Sequence, residues 1–149
     1  MVMVGVLLDR EPAPLGEWIA DAAAFDAAGA DALWIDLGPE SGWDVVTLTA
    51  ALAVMTFRAR LVVALPEVPD DRTAHTLTRL SGGRFGVRTD DAWERVPAPQ
   101  SRDEWRATCA DAEERGVPGI VVPAGPRLLD ILRNPDDPGE RHDLQLAQG

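Results

Sequence analysis

Five short apolar runs recur along the chain, and the stretches between most of them repeat at helical spacing. The runs are VMVGVLL (residues 2–8), DALWIDLG (31–38), ARLVVALP (59–66), RFGVR (84–88) and VPGIVVPAG (117–125). Short runs rich in β-branched residues fit strands buried on both faces. Between the first two runs, Leu15, Trp18, Ile19, Ala22 and Phe25 form an inward helical stripe that Gly29 stops. WDVVTLTAALAVMTF predicts a second helix with Val45 or Val46, Leu48, Leu52 and Met55 inward. DDRTAHTLTRLSGG predicts a third, with Asp70 or Asp71 as N-cap and glycine just past its end. TDDAWERVPAPQ is polar and proline-punctuated, and reads as a loop. SRDEWRATCADAEERG predicts a fourth helix with Ser101 as N-cap and Glu104 completing a capping box, and PRLLDILR a fifth with Pro126 in its first turn.

This alternation predicts an α/β fold of about five parallel strands joined by right-handed crossover helices. Five strands cannot close an eight-stranded barrel, so either the sheet is open or a partner chain supplies the rest. Residues 1–133 read as one domain and residues 134–149 as a polar tail.

The 149 residues suit a single domain. Net charge is −11 and all fourteen basic residues are arginine, a balance that disfavours nucleic acid and anionic membranes. No apolar run approaches the roughly 18 residues of a membrane span. The first run lacks a basic leader and ends at Asp9-Arg10, so a cytoplasmic location is expected. Cys109 is the only cysteine, and its helical setting reads as a small core residue. No His/Cys cluster suggests a structural zinc site.

The pair Gly82-Gly83 invites comparison with a phosphate loop, but the order is wrong. A dinucleotide loop follows a strand and opens a helix. Here a helix comes first and a strand follows, so the glycines read as a C-cap with positive φ.

AGADALWIDLG, TLTAALAVMTFRARLVVAL and LSGGRF, in that order and spacing, resemble motifs of the bacterial luciferase-like superfamily of flavin- or deazaflavin-dependent monooxygenases and oxidoreductases. The resemblance spans roughly residues 2–88. ADAEERGVPGIVV is similar to that family's C-terminal helix and strand, and PRLLDILRNPDDPGERHDLQLAQG to the tail of its long members. The resemblance implies an incomplete (β/α)8 TIM-barrel-like fold, with FMN or F420 at the C-terminal face of the strands. The chain is far shorter than the roughly 250 residues of such a barrel, and the missing middle falls between Arg88 and Ser101. Several motif positions depart from the family. Pro99-Gln100-Ser101-Arg102 lacks the glycine of a phosphate turn, and Leu37 and Gly38 stand where an acidic residue and often histidine are usual. Thr78 follows Leu77 where the family has aspartate, and Arg88-Thr89 replaces glycines.

Ligands of parallel α/β arrays sit at the C-terminal strand ends. That rule nominates Asp9, Arg10, Asp36, Pro66, Glu67, Arg88 and Pro123. For a flavin cofactor the candidates are Asp36, Arg88, Pro123 and Trp43. Asp36 orients a substrate, hydrogen-bonds a flavin edge, or accepts a loop amide. Arg88 either binds a phosphate or pairs with Asp90 or Asp91. Trp43 and Trp93 follow strands and could line a pocket mouth or an interface, whereas Trp34 reads as core. His75 lies mid-helix, away from the strand ends, and His142 lies in the tail. Two readings follow. One is a catalytically degenerate binding or interaction module that associates with itself as a homodimer or higher oligomer. The other is a dimeric flavin- or F420-dependent oxidoreductase acting on a small organic substrate.

Overall fold

The computed structural model describes residues 1–64, 68–87 and 92–137. Its elements run β1 (Met3–Leu8), α1 (Leu15–Ala27), β2 (Ala32–Ile35), α2 (Val45–Met55), β3 (Arg60–Val63), α3 (Asp71–Leu80), β4 (Phe85–Val87), β5 (Glu94–Arg95), α4 (Arg102–Glu114), β6 (Gly119–Pro123) and α5 (Pro126–Arg133). The chain is an α/β protein with one six-stranded sheet in the order β4-β3-β2-β1-β6-β5. Every pairing is parallel. The strand beyond the expected five is β5, inside the stretch read as a loop. Two residues are too few to show a period in sequence. A forked contact fastens the strand: Arg115 reaches Glu94 through Nη1 at 2.7 Å and Nη2 at 3.2 Å. Among the described residues, no helix is long and apolar enough to cross a membrane.

Each helical crossover steps in the same direction. β1 to β2, β2 to β3, β3 to β4 and β5 to β6 all advance toward the β4 edge. Right-handed crossovers with one direction of travel place their helices on one face of the sheet. The main core confirms this for four helices. Val6, Leu8, Leu33, Ile35, Leu61, Val63, Ile120 and Val122 meet Trp18, Phe25, Leu52, Trp105, Leu128 and Ile131. The alternate strand residues Leu7, Ala32, Trp34 and Val121 form a second cluster on the other face.

The helix stripes are close to those read from the sequence, with two corrections. Leu15 and Met55 were expected inward but are 38% and 49% exposed. α1 buries its stripe from Trp18 onward, and α2 buries Leu48, Thr49, Leu52 and Ala53. The caps follow simple chemistry. Asp44, Asp70 and Ser101 accept the amides of Thr47, Thr73 and Glu104 at 3.0, 3.0 and 3.1 Å. The Glu104 carboxylate accepts from the Gln100 amide at 2.9 Å, one residue before the position a capping box would use. At the end of α3, Gly82 (φ 60°) donates to Arg79 O and Gly83 (φ 84°) to Thr78 O, at 3.2 and 2.8 Å. That is a Schellman helix stop, so the glycine pair is punctuation.

One polar node ties the helix layer to the sheet. Asp26, 3% exposed, sits on the apolar stripe of α1. Its carboxylate accepts the amides of Phe57, Arg58 and Ala59 at 2.8, 3.0 and 2.6 Å, fixing the turn from α2 into β3. Arg84 holds the same turn from the other side. It donates to Ala53 O, Thr56 O, Thr56 Oγ1 and Ala59 O at 2.8–3.0 Å, and through Nε to Ser81 O at 2.7 Å. The three stretches AGADALWIDLG (with Asp26 just before it), TFRARL and LSGGRF therefore meet at the strand entrances.

Burial pushes the Asp26 carboxyl up, but the three amides and the Arg84 charge outweigh it and hold it below the ordinary 3.8. A depressed folded-state value means stabilisation that is complete above the unfolded value and lost as pH falls through the folded one. Asp26→Ala is expected to cost about 3 kcal/mol at neutral pH, because it strands three amides at the turn. Urea midpoints should show that difference shrinking below about pH 4.

Candidate functional site

The C-terminal strand ends carry two separate features, one on each face of the sheet. On the face opposite the helices, Asp36 follows β2 and bonds Arg95 Nη2 at 2.9 Å. It also accepts the Gly38 amide at 3.3 Å, the loop-amide role set out above. Arg95 is the register partner of Val121 and shares its face. From β2 to β5 is three inter-strand steps, about 14 Å if the sheet were flat. Direct contact between the two side chains therefore requires the sheet to curve toward this face.

Below that ion pair the curved face is filled by two indoles. Trp93 lies over Gly119 and reaches Gly5. A Cβ at Gly119 would stand 2.4 Å from Trp93 Cδ2, and one at Gly5 would stand 3.0 Å from Trp93 Cζ3 and 2.8 Å from Trp34 Nε1. The ring centroids of Trp34 and Trp93 are 5.8 Å apart at an interplanar angle of 44°. Trp93 therefore packs at the start of β6 and does not line a pocket mouth at the strand ends. Glycine at 5 and 119 is required because the indoles occupy the space a side chain would take. Trp34 is buried as expected, and its indole N–H has no acceptor among the described residues.

The second feature is a cavity of about 200 Å³ on the helix side. It lies between the β1–α1 connection, α1, and the link from β6 into α5. Leu8, Trp18, Phe25 and Leu129 contribute apolar surface, and Asp9, Glu11, Glu17 and Asp21 surround one cation, Arg10. Trp43, 36% exposed, leans toward this region by donating its indole N–H to Glu11 Oε1 at 2.9 Å.

The three described candidates, Asp36, Pro123 and Trp43, do not converge on one site. Asp36 and Pro123 lie at the curved face, on strands separated by β1. Trp43 joins the opposite feature through Glu11, and Arg88 lies outside the described residues, as do Pro66, Glu67 and His142. His75 is exposed on α3. Burial, then the neighbouring Glu113 charge, pushes the Cys109 thiol up, which disfavours a thiolate. Among the described residues no cluster of histidine, cysteine and carboxylate groups is arranged to hold a metal.

Sequence reasoning passed over Arg95, Glu17, Asp21 and Asp26. Asp26 alone left a usable signal, since it stands four residues after Ala22 and eight after Trp18, on the apolar stripe. Arg95 left none, because its face depends on the register of a two-residue strand. No family model matches this chain, and no curated protein matches it.

The tight fit of Trp93 over β6 gives a direct check. Gly119→Ala is expected to destabilise by about 1–3 kcal/mol through overpacking against a rigid ring. Combining it with Trp93→Leu should recover part of that loss, giving a non-additive cycle in urea denaturation.

Proposed function

We propose that the chain is a shortened luciferase-like protein whose sheet is a partial (β/α)8 wall, and that it works as a catalytically degenerate binding or interaction module. The strand order supports the barrel reading. Followed around the sheet from β1, the sequence is β1-β2-β3-β4, then a gap, then β5-β6 returning to β1. That is the cyclic order of a barrel from which the strands between β4 and β5 have been lost, and helices on one face belong to the same architecture.

The observation that carries the loss of catalysis is the filled curved face. A flavin of this superfamily would lie at the C-terminal end of the barrel interior. Here Arg95 reaches across to Asp36, above the tilted pair Trp34 and Trp93. The helix-side cavity offers no substitute for a cofactor phosphate, since four carboxylates surround its single arginine.

Self-association is supported by the sheet edges and by an apolar patch. β4 and β5 end the sheet with three and two residues, and both edges lack a neighbouring strand among the described residues. Val54, Met55 and Phe57, at the end of α2, are 54%, 49% and 80% exposed. A second chain covering them would remove apolar surface from water.

FMN and F420 should leave the absorbance and fluorescence of the cofactor unchanged when titrated with micromolar protein. Saturable quenching by either would instead favour the oxidoreductase reading. Light scattering should report a mass above 16.0 kDa that falls on dilution; a constant monomer mass would reject self-association.

A further inference from the structure

We infer that the outer face of α2 is the self-association surface, and that two copies pair there antiparallel about a two-fold axis near Ala50 and Ala51. The starting observation is that α2, VVTLTAALAVM, carries no charged residue on any face. Leu48, Thr49, Leu52 and Ala53 form its buried stripe. The opposite stripe is Thr47, Ala50, Ala51, Val54 and Met55, of which Thr47, Val54 and Met55 are exposed. The one polar side chain on it, Thr47, is turned back to the N-cap Asp44. A surface helix normally shows solvent a charged or polar face, and a helix without one is covered. The apolar surface continues past the helix. Phe57 in the following turn is 80% exposed, and Leu80 at the end of α3 is 42% exposed. Arg84 bonds both Ser81 O and Ala53 O, which holds the two helix ends side by side.

Charge complementarity says what covers this face. Two chains of net charge −11 repel one another over most of their surfaces. Residues 45–89 are the exception, with six of the fourteen arginines and only three of the 25 carboxylates. Within that stretch the exposed Arg58 and Arg60 follow α2, whereas the exposed Glu40 and Asp44 precede it. Among the described residues, the side chains of Arg58 and Glu40 make no hydrogen bond or ion pair. The face is thus acidic at one end, basic at the other and uncharged between. A parallel pair of such faces would set like charges together, and an antiparallel pair sets each basic end against an acidic one. A second copy brings the same pattern at the same spacing. Pairing centred on Ala50 and Ala51 puts Phe57 and Arg58 of one copy level with Asp44 and Trp43 of the other. Alanine on both helices lets the axes approach to roughly 8 Å, a span that an arginine side chain bridges. The contact is isologous and closes at two copies. This inference rests on the reading that the chain associates with itself, and assigns that role to α2 in place of the β4 and β5 edges.

The test is sedimentation equilibrium of the full chain. With rising concentration the mass is expected to level off at twice 16.0 kDa. Val54→Glu places a carboxylate in the paired face and should weaken dimerisation at least about 100-fold. Val68→Glu, at an apolar residue that is 79% exposed before α3, should leave it within about twofold. Arg58→Gln and Asp44→Asn each remove two symmetry-related ion pairs, the second while keeping a capping side chain. Each should weaken dimerisation about tenfold, and the double variant no further. A dimer indifferent to Val54→Glu would overturn this inference while leaving self-association through the sheet edges standing. A monomer at every concentration would overturn both. Growth beyond two copies would overturn the closed pair, and additive losses in the charge variants would overturn the antiparallel one. If Val54→Glu does not fold by circular dichroism, the charge variants decide alone.

Discussion

The turn between α2 and β3 holds this architecture together, because two side chains from distant parts of the sequence both end on it. Asp26 supplies acceptors for the three amides of the turn, and Arg84 supplies donors for its carbonyls and for those at the end of α2. Neither group alone could satisfy a helix end and a strand entrance at once. Together they leave few orphan backbone groups at a point where α1, α2, β3 and β4 must meet. Opposite charges on the two sides of one turn also lower the cost of burying Asp26. Once this corner is set, β2, β3 and β4 follow one another with their helices on one side. The node lies at the strand entrances, the end of such folds where fixed residues serve stability. It accounts for LSGGRF without any ligand.

The opposite face is governed by a different constraint, the space above two glycines. Gly5 and Gly119 leave the sheet bare where Trp93 lies across β1 and β6. Trp34 and Trp93 fill the space that side chains at those two positions would take. Arg95 then bridges to Asp36 above them, in a half-exposed position where an ion pair adds little stability. Its consequence is geometric: it occupies the centre of the strand ends.

The sequence made the architecture legible wherever a period was long enough to be read. The valine-rich runs, the helix stripes, the caps at Ser101 and Asp70 and the stop at Gly82-Gly83 all depend on local chemistry, and all are present. β5 was invisible because its strand character comes entirely from its pairing with β6. The packing of Trp93 was hidden for the same reason. Its position after a strand suggested a pocket mouth or an interface, and its ring lies at the entrance of β6, a placement that only long-range packing specifies. The strand-end rule nominated Asp36, Pro123, Asp9 and Arg10, and the structure places all four at the C-terminal strand ends. The rule could not say which face each would serve. Asp36 and Arg95 meet only because the sheet curves, and curvature leaves no mark on a one-dimensional pattern.

The two strand-end features divide the chemistry of this end of the molecule between them. On the curved face a cation and an anion neutralise one another above packed aromatic rings, which leaves that surface little electrostatic call on a charged ligand. On the helix side the carboxylates outnumber their one cation and, among the described residues, form no ion pair. A net charge of −11 attracts cations everywhere in a diffuse way, but dispersed surface charge is screened within about 10 Å at ordinary salt. Several carboxylates around one apolar cavity act over shorter distances than that.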